Sequence, residues 1–143
     1  MRRTAAVFII LVSFACASQN QRVIDALAPA ADLVETVECD GEKCDLYWER
    51  AKLWVIRHSH FKIRLANNMM IQTYKAPADK LSYAFAVVKE PVSGSTYKIE
   101  FGSYCGNPEG CDIDPVSLKS AFNFFVVNGQ DLLIGAGYLN SIN

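Results

Sequence analysis

Residues 44–65, CDLYWERAKLWVIRHSHFKIRL, decide the fold, because the spacing of their apolar positions changes partway along. From Cys44 to Ser59, the residues Tyr47, Ala51, Trp54 and His58 recur at intervals of four, three and four, and Trp48 and Val55 widen the stripe. That period puts them on one face of an amphipathic helix. Glu49 and Lys52 fall on the opposite side, Arg50 and Arg57 flank the stripe, and Asp45 near the start suits the positive end of the helix dipole. Ile56 is an apolar exception on the polar side. Beyond His60 the period shortens to two, with Phe61, Ile63 and Leu65 alternating with Lys62, Arg64 and Ala66, which is a strand pattern.

The alternation continues in phase through Met69, Ile71 and Thr73, so one long strand, with or without a bulge, is expected. Asn67-Asn68 offers a hairpin as the alternative, since asparagine tolerates positive φ. Ala76-Pro77-Ala78-Asp79 turns the chain, and Leu81 to Lys89 is apolar on both sides, as a strand in the middle of a sheet would be. Pro91 to Ser95 makes the next turn, and Thr96 to Tyr104 completes a three-stranded antiparallel meander. Asp114-Pro115 opens a second helix by capping and by proline at its first position, and Asn128-Gly129 closes it. Leu118, Ala121, Phe122, Phe125 and Val126 form its apolar stripe, broadened by Phe124 and Val127. The fold class expected is therefore α+β: helix, three-stranded meander, helix, in a two-layer sandwich. Gln130 to Asn143 adds a short edge strand through Leu132 to Ile134 or packs as a tail.

Upstream, MRRTAAVFIILVSFACA at residues 1–17 reads as an export signal: Arg2 and Arg3, an apolar run from Val7 to Phe14, and a small-residue exit at Ala15-Cys16-Ala17. The run is too short to span a bilayer. Val12-Ser13-Phe14-Ala15 before Cys16 resembles the lipobox of bacterial lipoproteins, with Ser13 where leucine is usual and Phe14 bulkier than the common Ala or Ser. That resemblance implies cleavage before Cys16 and a lipid anchor on it, and Ala17 in place of Asp implies an outer-membrane lipoprotein facing the periplasm. The alternative is cleavage after Ala17, leaving a soluble periplasmic or secreted protein. Residues 1–15, or 1–17 in the second case, are thus a signal peptide, 16–38 a tether and 39–143 a single α+β domain. Within the tether, Val23, Ile24, Leu27, Leu33, Val34 and Val37 are apolar enough for a short helix and an extended piece that docks on the domain.

With Cys16 set aside, four of the five cysteines remain: Cys39, Cys44, Cys105 and Cys111. Cys39-x4-Cys44 and Cys105-x5-Cys111 each bracket a polar loop, and an oxidising compartment makes them disulfides. Three connectivities are open. Two local bridges are favoured because both loops are rich in turn formers. Four thiolates on zinc are the rival, opposed by export and by the x5 spacing.

Removing Arg2 and Arg3 leaves 12 Lys and Arg against 15 Asp and Glu, a net charge of −3 with histidine neutral, over about 126 residues. Such a chain makes one domain and gives no reason to expect nucleic acid as a partner. Residues 43–64 nevertheless hold six basic groups, and Arg50, Lys52, Arg57, Lys62 and Arg64 are the candidate anion-binding surface. Catalytic signals are thin. His58 and His60 flank Ser59 without a nucleophile elbow, and Glu109, Asp112 and Asp114 lack the calcium-loop pattern. No catalytic residue, metal or cofactor is assigned. The expectation is an anchored binding or scaffolding module that meets membrane lipid through Cys16 and an unidentified envelope protein through its domain. The alternative is a soluble binder of an anionic small molecule or envelope polymer.

Overall fold

A computed structural model describes residues 18–33 and 35–135 of the chain. Helix α1 spans Ser18–Leu27 and runs into a 3-10 turn, Ala28–Ala30; strand β1 is Val37–Asp40 and helix α2 is Glu42–His58. Strands β2 (Ile63–Ala66), β3 (Met70–Thr73), β4 (Tyr83–Ser93) and β5 (Thr96–Cys105) follow, then helices α3 (Pro115–Asn128) and α4 (Leu132–Gly135). The chain is a mixed helix and antiparallel-sheet protein with two disulfides.

The apolar stripe of α2 is buried at every expected position: Tyr47, Trp48, Ala51, Trp54, Val55 and His58. Trp54 has no exposed surface, and its ring meets Phe85 of β4, Phe101 of β5 and Phe122 of α3 at centroid distances of 5.4, 5.3 and 5.4 Å. This cluster joins both long helices to one face of the sheet. Burial of a single large apolar side chain contributes roughly 1.5–3 kcal/mol, so the cluster is the main cohesive element of the domain. Helix α3 begins where its cap is made, with Asp114 Oδ1 accepting from the backbone N–H groups of Val116 (3.1 Å) and Ser117 (2.9 Å). It ends at Gly129, whose φ of 77° needs no Cβ.

The sheet corrects the expected three-stranded meander. It has five strands in the order β1-β5-β4-β3-β2, with every neighbouring pair antiparallel. Two strands are added to the expected count, for different reasons. Residues 61–73 form two strands, because the Asn67 side chain turns the chain back on itself: its Oδ1 accepts from the N–H groups of Met69 and Met70, both at 2.8 Å. Arg64 and Leu65 together oppose Gln72 as a bulge, so Ile63 keeps to the core side while Leu65 is exposed. The other added strand is β1, which straddles the boundary expected between tether and domain. It pairs Val37 with Ile99 through to Asp40 with Thr96, and buries Val37 and Cys39 while exposing Glu38 and Asp40.

Strand β4 sits third of five, the central place expected from its two apolar faces. Proline is tolerated near its end because β3 pairs only with residues 86–88. The N–H of Lys89 still reaches Met69 O at 2.8 Å; two residues on, the ring nitrogen of Pro91 points to the same side, where β3 has already turned away. Helix α2 then carries the chain from β1 at one edge to β2 at the other.

The described part of the segment read as a tether contributes to the same core as the rest, with Leu27, Ala30 and Val37 buried and Val23 packed against the core. Asn123 on α3 fastens this segment by donating from Nδ2 to Leu33 O (2.7 Å) and Glu35 O (2.6 Å). The edge strand considered for Leu132 to Ile134 is instead one turn of helix, opened by Asp131 Oδ1 accepting from Ile134 N at 3.4 Å, with Leu132 and Leu133 buried. Among the described residues no helix is long and apolar enough to cross a membrane.

Candidate functional site

His58 lies in the last turn of α2, where the helical period that buries Trp54 buries it as well. Its Nε2 stands 2.9 Å from Asp131 Oδ2, and the two side chains are 1% and 7% exposed. An ionised carboxylate has no proton to give, so Nε2 carries the hydrogen and donates it. Trp54 lies against the imidazole at 4.4 Å between centroids. Arg57, the preceding residue, approaches the same Asp131 oxygen at 3.9 Å and lies 5.7 Å from the centre of the Phe125 ring. Burial pushes the Asp131 carboxyl up, but the hydrogen bond and charge of His58, the Ile134 N–H and the Arg57 charge together hold it below the usual carboxylate range.

This centre joins the end of α2 to the link between α3 and α4, and its chemistry is that of a clamp. A general base needs a ring nitrogen open to substrate. Here Nε2 is occupied by Asp131, and Nδ1 is buried without a hydrogen-bond partner among the described residues. His60 does not join it: it lies exposed past the helix end and makes no side-chain hydrogen bond or ion pair among the described residues.

The five basic residues of the candidate anion-binding surface are placed on two layers. Arg50 turns inward to α3, donating from Nη1 to Val126 O (3.0 Å) and Val127 O (2.8 Å), and so satisfies carbonyls that the helix end leaves open. Lys52 pairs with Glu49 on its own helix, and Arg57 is engaged as described. Arg64 donates to Gln72 across the β2–β3 pair, and Lys62, just before β2, has no side-chain partner among the described residues. Arg50 and Lys52 do share a shallow depression of about 450 Å³ with Glu49, Leu53 and Ile56.

Cys39, Cys44, Cys105 and Cys111 form the two local bridges. Cys39–Cys44 ties the end of β1 to the first turn of α2 across a Cα separation of 5.0 Å, and Cys105–Cys111 closes the loop after β5 across 6.0 Å. Tyr83 braces that second loop by donating its hydroxyl to Ile113 O at 2.6 Å. Cys16 lies outside the described residues.

Two residues that matter here were missed in the sequence. Asp131 sits 73 positions from His58, and no local pattern links them. Lys89 continues the buried series Tyr83, Phe85, Val87 and is itself buried, with Trp48 and Tyr97 around its ammonium. That phase was a readable signal: a cation in register with a core face. No protein-family model, curated protein or solved structure matches the chain.

Proposed function

We propose that this chain is an exported envelope protein, held by acyl chains on Cys16, whose domain binds or scaffolds a partner protein rather than catalysing a reaction. The observation that carries the reading is the pairing of Cys39 with Cys44 and Cys105 with Cys111. Four of the five cysteines are thereby accounted for in a manner suited to an oxidising compartment, and Cys16 remains over at the lipobox-like position. Several acyl chains, at about 0.8 kcal/mol per buried methylene, give lasting attachment. The burial of both nitrogens of His58 favours binding over acid–base chemistry.

The rival reading asks Arg50, Lys52, Arg57, Lys62 and Arg64 to hold one soluble anion. Arg50 already caps α3 and Arg57 already faces Asp131 and Phe125, so a ligand would have to displace internal contacts. The anchored module makes no such demand.

Metabolic labelling with an alkyne fatty acid in a bacterial host tests the anchor. Label on the wild-type chain in the membrane fraction, lost in Cys16→Ser, is the expected result; a mature chain beginning at unmodified Ser18 overturns it. Crosslinking in intact cells then tests the second half of the reading, with capture of a discrete protein partner expected.

A further inference from the structure

Helix α2 carries a second apolar line, on the side away from the core. Leu46, Glu49, Leu53 and Ile56 follow one another at intervals of three, four and three, the spacing of a helix-to-helix seam, while the core residues Tyr47, Ala51, Trp54 and His58 fall on the opposite side. Leu46 is 50% exposed, Leu53 39% and Ile56 64%. One exposed leucine is ordinary, but three large apolar side chains in register on one helix mark a surface that meets another protein. The face also has relief, since Glu49, Arg50, Lys52, Leu53 and Ile56 line the shallow depression of about 450 Å³.

The charges on this line choose the partner. Glu49 stands in its middle, and Lys52 pairs with it across one turn of the same helix. When a second copy of α2 is laid against the first with the helices antiparallel, Leu46 meets Ile56 of the second copy and Glu49 meets Leu53. The carboxylate of each Glu49 then lies beside Lys52 of the other chain. Such a pair has a two-fold axis, so every favourable contact is made twice. Parallel helices would instead set Glu49 against Glu49 and bring Lys52 toward Arg57, with like charges in both places. Arg50, the other cation near the axis, is turned inward to the carbonyls of Val126 and Val127 and leaves the centre of the pairing to Lys52.

We propose that the face of α2 from Leu46 to Ile56 is the interface for a second copy of this chain, in an antiparallel two-fold pair centred on Glu49 and Lys52. The line is about 15 Å long at 1.5 Å per residue, shorter than the contact of an obligate dimer, so the pair is reversible. It uses neither Cys16 nor the His58–Asp131 centre, and it stands without the anchored reading.

Sedimentation equilibrium tests it on the oxidised chain, purified from its producing cells in a mild detergent. A monomer–dimer equilibrium is expected at concentrations up to about 1 mM. Ile56→Ser, at the most exposed of the three apolar positions, is expected to weaken dimerisation on the order of tenfold. Glu49→Lys or Lys52→Glu alone should weaken it by a similar factor, because each sets like charges in both central contacts. Mixing Glu49→Lys with Lys52→Glu is expected to restore a dimer made of one chain of each, since the mixed pair regains both opposite-charge contacts. Association through acyl chains would be alike in every variant, so rescue on mixing distinguishes the helix interface from it. The proposal is overturned if the wild type stays monomeric, if either charge reversal dimerises as the wild type does, or if the mixture is no more dimeric than its components. A monomeric wild type that loses a crosslinked protein of another kind through Ile56→Ser assigns the face to that partner and overturns it as well.

Discussion

Two charged centres of this molecule are built from the same chemistry and differ in their access to water. His58 and Asp131 meet at 2.9 Å with side chains 1% and 7% exposed, between the end of α2 and the α3–α4 link. On the outer face of the sheet, Lys98 meets Glu90 at 3.0 Å and Glu100 at 3.1 Å, with side chains 33%, 45% and 46% exposed. Water screens the second group and competes for its hydrogen bonds, so its loss is nearly compensated. The first has no water to return to, so removing one member strands the other. Distance alone would rank the two alike; burial separates them.

The strongest way to break this contrast is to let water into the buried centre. Trp54→Ala removes the ring that covers His58 and opens a cavity among Phe85, Phe101 and Phe122; a loss of about 4 kcal/mol is expected in chemical denaturation. Next comes Asp131→Ala, which leaves the Nε2 hydrogen of His58 buried without an acceptor and is expected to cost about 2–3 kcal/mol by the same measurement. Gly129→Ala should cost about 1–2 kcal/mol, since φ is 77° there and the added Cβ would stand 3.0 Å from Arg50 Nη2. It probes the link that carries Asp131 without touching the carboxylate. Lys98→Met is expected to leave the thermal midpoint unchanged within error, and a clear drop would remove the contrast.

Acid and alkali sharpen the same comparison with opposite signs. The folded Asp131 carboxyl titrates below its unfolded value, so its contribution is present above the unfolded carboxylate range and is lost as pH falls through the folded value. Denaturation between about pH 7 and pH 3 should therefore show a loss of stability that Asp131→Asn reduces. Hydrogen bonds donated by Lys98 to Glu90 and then Glu100 raise its value, so its contribution is complete below the unfolded lysine value and fades only as pH climbs through the folded one. Moderate salt should erase that alkaline effect and spare the acid one.

What could be read from the chain follows from how local each cause is. The stripe of α2 and the cap at Asp114 are dictated by residues within a few positions, and they stand where expected. The hairpin at Asn67 was ambiguous because the bulge at Arg64 and Leu65 restores the alternation that a turn ordinarily interrupts. Strand β1 was hidden for another reason: four residues become a strand only by pairing with β5, some sixty positions later in the chain. Asp131 belongs to the same class, since its partner is brought by packing of α2 on α3. Of the basic helix–strand surface, composition revealed the charges and could not reveal that Arg50 is spent on the carbonyls of Val126 and Val127.

The bridge between Cys39 and Cys44 has a mechanical consequence. Strand β1 is held to the sheet over four residue pairs, a short zipper that would peel under tension applied from its amino-terminal side. The sulfur link lies near the far end of that zipper and passes the load directly into α2, whose tryptophans are rooted in the middle of the protein. A pull on the leading segment thus opens the pairs of Val37 and Glu38 first, and at Cys39 the load passes through a covalent link into α2, where the peeling stops.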